Sequence, residues 1–218
     1  MKYQNTVFAT FIDRPNRFIA HVNLEGKIET VHVKNTGRCK ELLIEGVQVV
    51  LQKSDNINRK TAYDLIAVKK ENIGWINIDS QAPNVVAKEW LYSMGMQAIK
   101  PECTYGKSRI DFYFEQNNIP CLMEVKGVTL ERDGIGYFPD APTQRGTKHL
   151  GELVEAKKKG YMTYLAFVIQ MEDIFEVRPN VIMDPKFTQA FEEAQKNGVE
   201  ILFLPCKVTP DTLVIRED

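Results

Sequence analysis

The sequence predicts a mixed α+β fold in two parts: a small N-terminal β-barrel, then an α/β domain built on a mixed central sheet. Three observations predict it. About the first 80 residues break into short alternating runs separated by turn residues, without a helix-length apolar stripe. A helix start then appears at Pro83-Asn84. After that helix the order is three antiparallel strands, a helix and a strand, which is a compact α/β layer.

The chain has 218 residues, 44% of them hydrophobic and 26% charged, enough for a substantial core, and it divides at residues 1–81 and 82–218. A formal net charge of −1 excludes a strongly basic nucleic-acid coat. Lys and Arg outnumber Asp and Glu 12 to 9 over residues 1–82 and are outnumbered 16 to 20 beyond, so a basic patch is expected on the first part. Cys39, Cys103, Cys121 and Cys206 form no C-x-x-C pair, which signals neither zinc nor a disulfide framework. The N-terminus lacks the apolar core of a signal peptide, and the apolar run 161–169 is too short to span a bilayer. The reading is a soluble, cytoplasmic protein with reduced thiols.

In the first part, strands are expected at 6–12, 17–24, 27–33, 47–52 and 61–69, with turns at Arg14-Pro15-Asn16 and Glu25-Gly26 and a short helical turn at 40–43. About five strands interrupted in this way suggest a barrel of the OB type, a fold that often binds single strands. In the second part, a helix at 83–94 carries Val86, Trp90 and Met94 inward and stops at Gly95. A strand at 99–104, a hairpin, and a Gly- and Pro-rich loop at 131–142 follow. A helix at 144–159 has Leu150, Leu153 and Val154 as its core stripe, and the run 161–169 reads as a strand covered on both faces. Asp184-Pro185 starts a third helix with Phe187, Ala190, Phe191 and Ala194 inward, and a strand at 199–204 comes next.

The hairpin carries the chemistry. Residues 108–115 alternate, with Ile110, Phe112 and Phe114 on one face and Arg109, Asp111, Tyr113 and Glu115 on the other. Residues 121–126 put Leu122, Glu124 and Lys126 together. A two-residue loop at Asn117-Asn118 would set Asp111 directly opposite Glu124. Like charges facing across strands cost up to about 1 kcal/mol, and a divalent cation offsets that cost. Oxygen-only ligands favour a hard ion, Mg²⁺ (or Mn²⁺), which binds one or two carboxylates and keeps waters. Lys126, on the same face, is placed to orient or deprotonate an attacking water or to stabilise charge on a phosphate oxygen. Asp111, Glu124 and Lys126 are therefore the candidate catalytic residues, with Asp111 and Glu124 as metal ligands. The bland reading is an exposed sheet face with ordinary charges.

On the second helix Arg145, Lys148, His149 and Glu152 form a stripe opposite the core stripe. It is either a solvated face or a grip on phosphate, with His149 hydrogen-bonding a metal ligand or a phosphate. In the first part Arg14, Arg17, Lys34, Arg38, Lys53, Arg59 and Lys60 fall at or near expected loops, where they could track a phosphate backbone, with Phe18 or Tyr63 stacking on a base if exposed. His21 and His32 read as structural.

Asp111 followed by Glu124-x-Lys126, in this element order, resembles the PD-(D/E)xK nuclease superfamily, the restriction-endonuclease-like fold. A closer resemblance covers nearly the whole chain. Arg17-Phe18, Asn35-Thr36-Gly37, Ser54-Asp55-Asn56, Ser108-Arg109-Ile110-Asp111, Glu124-Val125-Lys126, Val128-Thr129-Leu130, Phe138-Pro139-Asp140-Ala141, Arg145-Gly146 and Lys148-His149-Leu150 together look like the sugar fermentation stimulation protein A family. The chain departs from that pattern at Pro142 and at Arg38-Cys39. The resemblance implies an OB-type domain joined to a nuclease-like domain, non-specific DNA binding, and a regulatory role in sugar (maltose) utilisation. From the superfamily it implies metal binding by Asp111 and Glu124, a catalytic Lys126, and Glu89 as an upstream acidic ligand.

Two functions follow as expectations: a DNA-binding protein with a metal-dependent phosphodiester-hydrolysis centre, or a non-catalytic DNA-binding regulator. RNA is the alternative nucleic acid. A sugar-modifying enzyme is disfavoured, because no phosphate-cradling glycine loop, cofactor fingerprint or catalytic cysteine is present.

Overall fold

The computed structural model describes residues 1–35, 37–106 and 108–217. Thr36, part of one family-like motif, lies outside the described residues.

Six strands make the first sheet: β1 (Thr6–Asn16), β2 (Ile19–Leu24), β3 (Lys27–Val33), β4 (Gln48–Lys53), β5 (Tyr63–Lys70) and β6 (Gly74–Asn77). Their order is β3-β2-β1-β4-β5-β6, and a parallel pairing of β3 with β5 through His32↔Asp64 and Val33↔Leu65 closes the first five into an OB-type barrel. Small and branched side chains fill it, among them Ala9, Ala20, Val22, Val31, Val49 and Leu65, because the narrow interior admits only alternate residues of each strand. β1 is longer than expected, running to Asn16 through register shifts after Phe11 and Asp13 that let it curl around the barrel. The helical turn at 40–43 is a hydrogen-bonded turn in which the Leu42 and Leu43 amides donate to the Cys39 carbonyl. The four-residue strand β6 was not foreseen; it carries too few residues to show alternation.

The second sheet is built after helix α1 (Ala82–Ser93) from β7 (Gln97–Tyr105), β8 (Ser108–Gln116) and β9 (Ile119–Val128). The loop expected at 131–142 contains β10 (Leu130–Arg132) and β11 (Ile135–Phe138). Then come α2 (Gln144–Lys158), β12 (Met162–Ile169), β13 (Val177–Pro179), α3 (Pro185–Lys196), β14 (Glu200–Thr209) and β15 (Thr212–Ile215). The order is β15-β14-β12-β9-β8-β7, with β12 parallel to both β9 and β14 and the outer pairs antiparallel, so the sheet is mixed. β12 sits at its centre and is almost wholly buried, as its unbroken apolar sequence requires. β10, β11 and β13 form a separate small sheet, which corrects the expected loop. These strands are three or four residues long, and β11 pairs with β13 across some 40 residues of chain, so no local pattern reveals them.

Helix α1 covers one face of the sheet through Ala82, Val86, Ala87 and Leu91, packed with Phe112, Phe114 and Met123. Met94 is exposed and Trp90 only half-buried, so the core stripe of α1 is rotated from the expected one. α2 and α3 cover the other face through Leu150, Leu153, Phe187 and Phe191. That apolar cluster continues into the barrel through Val68, Ile76 and Ile78.

Buried polar groups tie the two parts together. Gln170 Nε2 donates to Asn77 Oδ1 (2.9 Å) and to the Asp79 carbonyl (3.1 Å), and within the first part the Tyr3 hydroxyl donates to Asp79 Oδ2 (3.3 Å). Burial, with the Asp79 charge, pushes the Tyr3 hydroxyl well above its usual pKa, so it stays a donor. Among the described residues no helix is long and apolar enough to cross a membrane.

Candidate active site

Asn117 and Asn118 have φ of 51° and 63°, the pair of positive values that a two-residue type I′ turn needs. That turn fixes the β8–β9 register from Gln116↔Ile119 to Phe112↔Met123. The next position brings Asp111 and Glu124 together. Here the ladder opens: Asp111 Oδ2 accepts from the Val125 amide (2.8 Å), and Oδ1 accepts from Asn84 Nδ2 on α1 (3.0 Å).

Glu124 is 1% exposed. Its Oε1 accepts from Lys126 Nζ (2.5 Å) and from His149 Nδ1 on α2. Its Oε2 is buried and has no hydrogen-bond partner among the described residues. His149 Nε2 lies 3.4 Å from Arg145 Nε. Arginine only donates, so that Nε2 holds a lone pair and the ring proton is on Nδ1, directed at Glu124. The Arg145–His149–Glu124 chain thus fixes one carboxylate from behind.

The two acids are held differently. Burial and the neighbouring Glu124 charge raise the Asp111 pKa, and Lys126, the Val125 amide and Asn84 only partly oppose them. Burial also acts to raise Glu124, but the His149 hydrogen bond and the Lys126 charge outweigh it and hold that carboxyl below its usual range. A divalent cation fits these residues. Two close carboxylates, one with an unpartnered buried oxygen, are an oxygen-donor set for a hard ion that keeps most of its waters. Among the described residues no group of three or more His, Cys, Asp or Glu is arranged to hold a metal.

A groove of about 330 Å³ is lined by Ser108, Arg109, Gln144, Arg145, Lys148 and His149, and His149 links it to Glu124. Arg145 and Lys148 are exposed, with Lys148 3.8 Å from Glu152. His149 is 3% exposed, which corrects its place on a solvent-facing stripe: it borders the apolar face next to Leu150 and Leu153, within reach of β9.

Glu89 is not part of this cluster. It is exposed and bonded to the Met1 amine at 2.7 Å. Five residues of helix turn it far from Asn84, the α1 residue that does meet Asp111. Asn84 was not singled out by the sequence reading, because an asparagine in a first helical turn ordinarily reads as a start signal.

Several basic residues of the barrel are also reassigned. Arg59 grips Asp64 with both terminal nitrogens (2.6 and 3.0 Å), and Lys34 pairs with Asp79 at 2.8 Å and lies 3.8 Å from Asp64. Arg14 donates to the carbonyls of Asn35, Gly37, Arg38 and Arg17 at 2.6–2.9 Å and braces the loop after β3. Most of the bonds these three cations make are directed inside the fold, while the buried Arg14 Nε has no hydrogen-bond partner among the described residues. Arg17, Arg38 and Lys60 are exposed; Arg17 and Arg38 border a cavity of about 570 Å³, and Arg17 lies over the exposed Phe18 ring. Tyr63 is half-buried against the core.

Gly127, just after Lys126, is required by close approach. A Cβ there would collide with the Gln170 side-chain oxygen and meet Pro83 Cγ at 2.7 Å. Gln170 cannot swing away, since it is buried and bonded to Asn77 and Asp79. Gly127→Ala is expected to destabilise the protein by about 1–3 kcal/mol, read as a fall of several degrees in Tm.

An OB-type barrel followed by a restriction-endonuclease-like domain, with two acids and a lysine at the centre of its sheet, defines the class of this protein. The models of the SfsA N-terminal OB domain and of the sugar fermentation stimulation protein RE domain match residues 12–78 and 81–212. The chain belongs to the sugar fermentation stimulation protein family. It is 52% identical to the sugar fermentation stimulation protein homolog of Desulfitobacterium hafniense (strain DSM 10664 / DCB-2), covering 98% of this chain and 94% of that one. It is 48% identical to the homolog of Clostridium beijerinckii, covering 100% and 97%. The solved structure of Pyrococcus furiosus SfsA in complex with Ca²⁺ superposes with a TM-score of 0.86 at 26% identity, covering 99% of this chain and 95% of that one.

Proposed function

We propose that this protein binds nucleic acid, DNA in the first instance, and hydrolyses phosphodiester bonds with a divalent metal ion, Mg²⁺ or Mn²⁺. The observation that carries the reading is the unpartnered, buried Oε2 of Glu124 beside Asp111; His149, the partner of Glu124, also lines a groove with Arg109, Arg145 and Lys148. The Ca²⁺ complex of the P. furiosus relative supports a hard, oxygen-ligated ion.

Asp111 and Glu124 would hold the ion, which supplies charge neutralisation at the phosphate and a more acidic water. His149 fixes the Glu124 carboxylate, and Asn84 with the Val125 amide fixes Asp111. Lys126 Nζ stands at the same carboxylate and, as an ammonium, orients the attacking water or stabilises charge on a phosphate oxygen. Arg145 and Lys148 bind the flanking phosphates as charged donors, and Arg17, Arg38 and Lys60 extend the basic path over the barrel. Burial pushes the thiols of Cys39 and Cys206 up to about 12, away from the thiolate form. A cytoplasmic setting accords with reduced thiols.

Purified protein is expected to nick plasmid DNA in Mg²⁺ or Mn²⁺ and lose this activity in EDTA, and Asp111→Ala is expected to abolish it. Equal activity of wild type and Asp111→Ala would mark a contaminating nuclease and remove the catalytic reading. A non-catalytic regulator is the second reading, favoured by the Lys126–Glu124 ion pair, which already satisfies one carboxylate oxygen without a metal. It predicts salt-sensitive DNA binding that survives both EDTA and Asp111→Ala.

A further inference from the structure

An exposed apolar tip lies next to the N-terminal end of α2, which carries Arg145 and Lys148. Val181 is 55% exposed and Ile182 87% exposed, on the turn between β13 and α3. The turn is fixed. Asn180, buried at its base, donates from its amide to the Phe138 carbonyl (2.8 Å) and from Nδ2 to the Pro139 carbonyl (3.0 Å). The amides of Met183 and Asp184 both donate back to the Asn180 carbonyl. Asp184 then joins two helices: Oδ1 accepts from the Phe187 amide to cap α3, and Oδ2 accepts from the amide of Thr143, the N-cap of α2 (2.8 Å).

That bond ties the tip to the groove. Ile182 lies two residues before Asp184, and Arg145 lies two residues after Thr143. Arg178 and Lys186 flank the tip, both exposed, and Glu176 pairs with Arg178 at 2.5 Å. The Asp184 carboxylate is buried and fully engaged, so the tip presents apolar surface flanked by the exposed Lys186 on one side and the Arg178–Glu176 pair on the other. β-Branched side chains are stiff at χ1, which keeps the shape of the tip.

We propose that Val181 and Ile182 form a wedge that enters the base stack of a duplex whose backbone is held at the α2 end, so that this protein binds duplex DNA in a locally unstacked form. This rests on the nucleic-acid reading above and narrows it to a distorted duplex. An apolar side chain inserted at a base step exchanges water contact for base contact, and adjacent cations hold the phosphates of the opened step. On a relaxed single strand the same tip has no stack to enter.

The test uses the full chain in Ca²⁺ with a short duplex carrying 2-aminopurine at several central positions, and with the matching single strand. Wild type is expected to bind the duplex and raise its fluorescence. Ile182→Ser is expected to lose most of that rise and about tenfold in duplex affinity, with single-strand affinity unchanged. Ile57→Ser, at an isoleucine exposed to 94% on the loop before β5, is expected to behave as wild type. Duplex binding by wild type without a fluorescence rise, or an equal rise with Ile182→Ser, overturns the wedge and leaves nucleic-acid binding standing. Failure of wild type to bind either nucleic acid overturns the parent reading. A change in solution mass with Ile182→Ser, its DNA binding intact, assigns the tip to self-association and also overturns the wedge.

Discussion

Replacing Lys126 with Ala is expected to slow phosphodiester hydrolysis by about 10³-fold while DNA affinity stays nearly unchanged, because in the proposed reaction Lys126 would act at the attacking water and Arg145 and Lys148 would carry the phosphate contacts. Lys126 Nζ is 2.5 Å from Glu124 Oε1 and its side chain is largely buried, so no other lysine can take its place. Arginine is no substitute, since its planar, forked guanidinium cannot stand where a compact ammonium does. Glu124 keeps the His149 hydrogen bond in the variant, so the carboxylate stays positioned. A second readout separates this role from simple structural support. In the metal-free protein Lys126 neutralises Glu124, and without it Asp111 and Glu124 face each other with less compensation. Divalent-ion affinity measured by calorimetry should therefore rise in Lys126→Ala as nicking falls. Full nicking activity in that variant would sink the assignment; weaker ion binding would mean that Lys126 supports the site rather than competing for it.

The hairpin was legible because its determinants are local. Two asparagines that accept positive φ set the loop, and the loop sets the register that brings Asp111 to Glu124. The helices were legible through their stops and caps, and the central strand β12 through its unbroken apolar run. What was not legible depends on distant partners. Lys34 and Arg59 look like free loop cations until β3 and β5 pair and bring Asp64 between them, and Arg14 looks free until the chain after β3 folds its carbonyls around the guanidinium. Glu89 and Asn84 share one helix, and which of them meets Asp111 depends on the rotation of α1 against the sheet. Small residues, Ala82 and Ala87, set that rotation, and a stripe drawn through Trp90 and Met94 misplaces it.

Asp64 is the position where a single change should cost the most stability. It is 6% exposed and sits at the β3–β5 closure, opposite His32 in the register. Both Arg59 nitrogens, His32 Nδ1 (2.9 Å) and Lys34 surround its oxygens. Asp64→Ala leaves these groups crowded at the barrel seam without their counter-charge, and losing one partner of such a buried network typically costs about 3–5 kcal/mol. The expected result is a large fall in the urea midpoint with an unchanged m-value, or a barrel that fails to close. Asp64→Asn keeps the shape and two lone pairs and should fall between Asp64→Ala and wild type. The two variants also differ from wild type in acid. Burial acts to raise the Asp64 pKa, but the Arg59 and His32 hydrogen bonds and the Lys34 charge outweigh it and hold it below its ordinary value of roughly 4. The folded state therefore binds fewer protons than the unfolded chain. The stabilisation is fully present above the unfolded pKa and is lost as pH falls through the lower folded value. Wild-type stability should drop steeply below about pH 4, and part of that slope should be missing from Asp64→Asn, whose side chain does not titrate. Parallel acid slopes in wild type and Asp64→Asn would show that the carboxylate charge does not hold the barrel seam.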